Sequence, residues 1–200
     1  EKGTNWQRAI SQTGFTQNYK VTLTNGNRDT QYYLSGNYLS QTGTVLSTKN
    51  ERYQAKLNLT SNITPWLTIT ADVNASHNVR SMVNFSASKN NMLWLALNYS
   101  PVTNVMDNAG NYSHDFYNAI TADNPVGSLK LNSGQGRQDI FNGRIDLRFN
   151  LLPGLTVTTT NGIDYNDAKY YWFNSKRVVE QSSMTNQDGQ RMMLQSTNNL

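Results

Sequence analysis

The chain has 200 residues, of which 36% are hydrophobic and 15% charged, with a net charge of +4, no cysteine and a mean hydropathy of -0.65. Globular domains carry about 45–50% apolar and about 25% charged residues, so neither a large apolar core nor a charge-solvated disordered chain fits. The polarity is neutral instead, with 28 Asn and 10% aromatic residues; the lack of cysteine excludes a disulfide framework and thiolate metal sites, and no basic run suggests nucleic acid.

Glu1 to Thr13 shows helical spacing in Trp6, Ala9 and Ile10, with Thr4 or Asn5 as the N-cap. A first strand is predicted from about Thr16 to Thr24, with Tyr19, Val21 and Leu23 alternating against Lys20, Thr22 and Thr24. The polar turn Asn25–Thr30 leads to a second strand from about Gln31 to Ser40, and a longer connection (41–51) to a third from Arg52 to Asn62. There Tyr53, Ala55, Leu57 and Leu59 alternate with Gln54, Lys56, Asn58 and Thr60. Ile63-Thr64-Pro65 turns tightly into a fourth strand, Trp66 to Ser76.

The longest irregular stretch, His77 to Gly136, holds one short helix near Lys89 to Leu97. The clearest hairpin follows: RQDIFNGRIDLRFN, the turn around Pro153-Gly154, then LTVTTTNGIDYN. Phe141, Ile145, Leu147 and Phe149 share one parity, whereas Arg144, Asp146 and Arg148 share the other. A further loop, Asp167 to Gln190, carries the run KYYWFNSK, and a seventh strand starts near Arg191.

Strands of about ten residues or more exceed the usual five or six, and ten tilted residues span a bilayer. Connections alternate between short and long, as in outer-membrane barrels with short periplasmic turns and long extracellular loops. Tyr19, Tyr38, Tyr53, Phe141 and Tyr165 fall toward the long-loop rim, and Trp66 and Phe149 toward the other, as two interfacial belts. The longest apolar run, Met92 to Leu97, is too short for a membrane helix. The fold expected is all-β: an antiparallel up-and-down transmembrane β-barrel segment of about seven strands with long extracellular loops. With no initiator Met, no signal peptide and a terminus inside a strand pattern, the chain reads as a fragment of a longer protein.

Several stretches resemble the SusC/RagA family of TonB-dependent outer-membrane transporters of Bacteroidetes. They are Thr4-Asn5-Trp6-Gln7, Thr13 to Asn18, Tyr32-Tyr33-Leu34-Ser35 with Gly36-Asn37-Tyr38, and Glu51-Arg52-Tyr53 with Lys56 to Leu59. Ser100-Pro101-Val102, Asp107 to Tyr112 and Asn124-Pro125 complete the set, in an order that covers almost the whole chain. The resemblance implies a 22-stranded barrel closed by a plug, with residues 1–200 supplying roughly strands two to eight. It also implies outer-membrane lipid around the barrel, a SusD-like lipoprotein lid, energy from TonB, and import of oligosaccharides or peptides.

No catalytic constellation, metal site or cofactor site is expected. His77 and His114, the only histidines, read as polar loop residues, and Asp107 to Asn111 reads as a turn because it lacks the alternate-ligand spacing of a calcium loop. Lys20, Lys56, Arg144, Asp146 and Arg148 read as a solvated channel wall. The loop aromatics Trp94, Tyr99, Tyr112, Phe116, Tyr117, Tyr170, Tyr171 and Trp172 suit contact with substrate or partner and suit packing of loops on one another equally well. The competing reading from another class is a secreted soluble β-sandwich that binds carbohydrate, in which the apolar faces would pack together.

Overall fold

The computed structural model describes residues 3–83, 92–113, 124–175 and 189–199. Ten elements follow in order: α1 (Trp6–Ala9), β1 (Phe15–Gly26), β2 (Thr30–Thr42), β3 (Lys49–Thr64), β4 (Leu67–Met82), α2 (Met92–Asn98), α3 (Pro125–Leu131), β5 (Ser133–Leu152), β6 (Leu155–Asn174) and β7 (Gly189–Asn199). The strands form one antiparallel sheet in the order β1-β2-β3-β4-β5-β6-β7, each pairing with its chain neighbour. This is a meander, and it does not close on itself within the described residues.

Continuous register carries the alternation across the sheet. Leu57 lies opposite Val73, which lies opposite Gly143 and then Ile163; Ile69 faces Leu147, and Leu67 faces Phe149. On the reverse face Asn58, Asp72 and Arg144 share a row, and Thr68 lies opposite Arg148. The apolar face stays bare: Val21 is 75% exposed, Leu23 52% and Ile145 47%. A β-sandwich would bury these side chains against a second sheet, and the described residues contain a single sheet. Their natural solvent is lipid.

Both aromatic belts are present on that face. Tyr19, Tyr38 and Tyr53 stack in one cross-strand row, with ring centroids 6.5 Å and 4.9 Å apart. The Tyr38 hydroxyl donates to Glu51 Oε1 at 3.0 Å, away from the apolar band, and Lys49 pairs with the same carboxylate at 3.0 Å. At the opposite rim Trp66 stacks on Phe149 at 6.2 Å. The ten-residue rise from Leu67 to His77 is about 33 Å along the strand, or about 23 Å at a tilt of 45°, close to the ~25 Å apolar band of an outer-membrane barrel.

The strands run past that band, which corrects three boundaries. β4 continues to Met82, so His77 is a strand residue rather than a loop residue: it points outward, and its Nδ1 pairs with Asp139 Oδ1 at 2.5 Å. β5 begins at Ser133, and β6 extends through Lys169-Tyr170-Tyr171-Trp172-Phe173, the run read above as a loop. Beyond the bilayer a strand needs no apolar face, so the alternation that marks it in sequence disappears while the hydrogen-bonded ladder continues. α2 matches the helix expected near Lys89 to Leu97, and α1 starts from Asn5, whose side chain accepts from the Arg8 amide.

The short turns are fixed locally. Asn27 Oδ1 accepts from the amides of Asp29 and Thr30 at 2.9 and 2.7 Å, and Gly154 closes the β5–β6 hairpin at φ +84°, a conformation that favours glycine.

Leu57→Arg, on the lipid face near mid-band, is expected to cost about 2–4 kcal/mol in a lipid-refolding titration. Asn58→Arg, one residue along on the wet face, is expected to cost far less; equal costs would refute the assignment of faces.

Candidate functional site

All of the long connections leave from one rim, and there the chain builds its only cluster of buried apolar residues among those described. Trp6 and Ile10 from α1, Met92, Leu95 and Ala96 from α2, Tyr99, and Val126 and Leu129 from α3 form it, with Val45 and Leu46 of the β2–β3 connection against its edge. The residue spacing of α2 puts Leu95 and Ala96 inward and leaves Leu97 65% exposed; Val102, beyond the helix, is 66% exposed. Within the apolar run Met92 to Leu97, the side chains of Met92, Leu95 and Ala96 are thus covered by other loops and by the segment preceding β1, while Leu93 and Leu97 stay exposed. Polar ties lock the arrangement: Trp6 Nε1 donates to the Ser100 carbonyl at 2.9 Å, Thr4 N to the Pro101 carbonyl at 2.7 Å, and Gln12 Nε2 to the carbonyls of Gly43 and Val45.

α3 escaped the sequence reading, although its signal was present. Asn124 is fully buried; its Oδ1 accepts from the amides of Val126 and Gly127, and its Nδ2 donates to the carbonyls of Val105 and Ser113. An Asn N-cap followed directly by proline at the first helical position is a start signal. Gly127 is required by packing, since a Cβ there would sit 2.8 Å from the Tyr112 ring.

The structure separates the candidate aromatics by location. Tyr99 is buried edge-on against Trp6 at 4.6 Å, and its hydroxyl donates to the Ser113 carbonyl. Tyr112 and Trp94 lie half-buried against the same cluster. Tyr171 takes the outward parity of β6, with the Arg137 guanidinium 5.9 Å from its ring. Trp172 takes the inward parity and stacks on Tyr170 at 5.8 Å, and Arg80 reaches across from β4 to place its guanidinium 5.7 Å from the Tyr170 ring. Phe116, Tyr117 and His114 lie outside the described residues.

The inner face is a lattice of side-chain amides and charges. Asn58 Nδ2 donates to Asp72, and Arg144 bridges Asp72 at 2.9 Å and Asp146 at 3.3 Å. Gln54 bonds Asn74, Gln138 bonds Asn166, and Asn142 bonds Asp164, each between neighbouring strands. Lys56, Asn58, Asp72, Arg144 and Asp164 line a groove of about 510 Å³ on this wall. The exposed ion pairs contribute little stability individually; their consequence is a wall of exposed hydrogen-bonding groups.

The turn at Asp107 is self-contained. Asp107 Oδ1 accepts from the amides of Asn111 at 2.8 Å and Ala109 at 2.9 Å, with Gly110 at φ +81°. The Asn111 amide above all holds this carboxyl below the ordinary carboxylate range, against a smaller opposing push from desolvation.

No protein-family model matches the chain. Two curated proteins of Formosa agariphila do: TonB-dependent receptor P3, 24% identical over 80% of this chain, and TonB-dependent receptor P39, 24% identical over 86%. The chain spans 16% of the length of each. Among solved structures it is similar to the RagAB peptide importer in its "closed-closed" state, at TM-score 0.71 and 19% identity over 90% of this chain and 21% of that one. A second RagAB peptide transporter structure gives TM-score 0.68 at 20% identity, over 86% of this chain and 20% of that one. The chain is similar in sequence to TonB-dependent receptors, and its sheet has the fold of part of the RagAB barrel. Its place is the outer membrane, so the bare apolar face of the sheet meets lipid and the amide-rich face lines the lumen. The loop cluster then stands at the extracellular rim.

Trp6→Ala should cost the rim cluster about 3–5 kcal/mol through lost burial and a cavity. Limited proteolysis should then cut within 92–113 far faster while the strands stay protected; unchanged loop cleavage would show that the cluster does not depend on α1. For Asp107 the lowered pKa means that the turn's stabilisation is fully present above the ordinary value of 3.8 and is lost as pH falls through the lowered one. Amide exchange at Ala109 and Asn111, corrected for intrinsic rates, should show protection lost at strongly acidic pH in the wild type. Asp107→Asn should show weak protection at every pH.

Proposed function

We propose that the protein containing this segment is a nutrient importer that uses TonB-delivered energy to move oligosaccharides or peptides across the outer membrane, without changing them chemically. The observation that carries this reading is the two-faced sheet. One face suits lipid, whereas the other presents amides, hydroxyls and charges continuously from rim to rim, a surface on which a polar solute can exchange hydrogen bonds as it passes. The proteins it is similar to are receptors and importers rather than enzymes.

Residues 1–200 form part of the barrel domain on this reading, with a plug and the remaining strands of a 22-stranded barrel elsewhere in a longer protein. The SusD-like lipoprotein lid rests on the family resemblance, and the rim cluster is where it would dock: Leu97 and Val102 leave apolar surface exposed beside a cap whose inner side chains pack on one another. Of the candidate contact aromatics we assign cargo contact to Trp172, which faces the lumen, and loop architecture to Trp94, Tyr99 and Tyr112.

The test is complementation of a deletion strain with the full-length protein and with its Leu97→Asp/Val102→Asp variant. The wild type should restore uptake; the variant should assemble in the outer membrane yet retain its lipoprotein partner at least about tenfold less well, since two apolar side chains leave the contact. A variant that keeps both partner and uptake would remove the cap from the docking surface. A wild type that restores uptake of no oligosaccharide or peptide would overturn the importer reading.

A further inference from the structure

The charges of the sheet are distributed unevenly between its faces. From β1 to β6 the lumen parity carries six cations, Lys20, Arg52, Lys56, Arg80, Arg144 and Arg148, against three carboxylates, Asp72, Asp146 and Asp164. The outward parity of the same strands is balanced, with Lys49, Arg137 and Lys169 against Glu51, Asp139 and Asp167. Wetting a channel wall does not require this surplus, because paired neutral amides serve elsewhere on the same wall. Arg144 is committed to both Asp72 and Asp146, whereas Arg52, Lys56 and Arg148 have no carboxylate partner among the described residues. A wall backed by low-dielectric lipid raises such a surplus into a positive potential along the proposed path of the solute.

At the extracellular end of that path stands a compact group of side chains. Arg80 donates from Nη2 to the Tyr170 hydroxyl at 3.2 Å and lies over its ring, and Trp172 stacks beside Tyr170. Directly opposite these rings in the β5 register are Gly136 and Gly134, which add no side chain beside them. A guanidinium has five N–H donors, and the Tyr170 bond uses one, which leaves a planar fork suited to carboxylate or sulfate oxygens. Ring faces beside a cation suit the C–H face of a sugar that carries an acid.

We propose that the cargo is an anionic oligosaccharide, bearing carboxylate or sulfate groups, and that Arg80, Tyr170 and Trp172 grip it at the extracellular end of the lumen wall. This rests on the importer reading above and narrows its substrate class. The wall favours sugar over peptide because, above the short-turn bulges, its only aliphatic side chains among those described are Leu39, Ile140 and Ala168. Apolar peptide side chains would find little to cover them, whereas hydroxyl-rich rings match amides throughout.

The intact detergent-solubilised protein should be tested for binding to oligogalacturonides and their methyl esters, to a sulfated galactan oligosaccharide and its desulfated form, and to oligoglutamate. An acidic sugar should bind more tightly than its neutral counterpart and weaken with salt, the two sugar arms telling carboxylate from sulfate. Arg80→Gln should weaken the acidic sugar at least about tenfold more than its neutral counterpart, Arg80→Lys should restore part of that preference, and Trp172→Ala should weaken charged and neutral forms together. Equal affinity for neutral sugars, preference for oligoglutamate, or no acidic sugar bound at low salt would overturn the proposal. Binding needs no energy input, so failure here with uptake intact refutes the charge preference alone. Acidic-sugar binding without any uptake refutes import alone.

Discussion

Inside a bilayer no water is available to satisfy a backbone N–H or C=O, so every such group of a spanning segment must find its partner within the protein. The meander meets this demand by pairing each strand with its chain neighbours, and most of the molecule's features follow from the resulting register. Because adjacent strands stay aligned over long stretches, a parity rule within one strand becomes a face of the whole sheet. Leu57, Val73 and Ile163 form one lipid-facing row, and Asn58, Asp72 and Arg144 the wet row beside it.

The same register explains the belts. Tyr19, Tyr38 and Tyr53 are far apart in sequence, yet the pairing places them side by side, with hydroxyl and charged groups above and aliphatic groups below. An amphipathic ring at that height is wetted at one end and covered by acyl chains at the other, which fixes the sheet's depth in the membrane. The tyrosine row continues into His77 and Asp139, and the next outward-facing row, released from that constraint, carries Arg137 and Lys169.

The rim cluster is a separate solution to a separate problem. A connection of fifty residues between β4 and β5 would be costly to order on its own, and α2 is too short to stand alone in water. Packing α1, α2 and α3 together buries the apolar face of each, and Asn124 satisfies four backbone groups at the junction with a single side chain. The proposed function divides along the same line: the sheet would supply the path, and the cluster a surface above it.

The amino-acid pattern by itself determined the strands wherever the bilayer imposes two different solvents on alternate residues. Leu57 against Asn58, Ile145 against Arg144 and the Pro153-Gly154 turn are legible because the physical requirement has a period of two and sits within one strand. The same reading stopped at His77 and Asp167, because a strand above the membrane has water on both sides and no reason to alternate. Only the tertiary structure could decide the rest. It carried β6 through Trp172, brought Arg80 across the sheet to Tyr170, and buried Tyr99 on Trp6. The last two contacts join residues ninety or more positions apart, and no local periodicity encodes a partner at that distance.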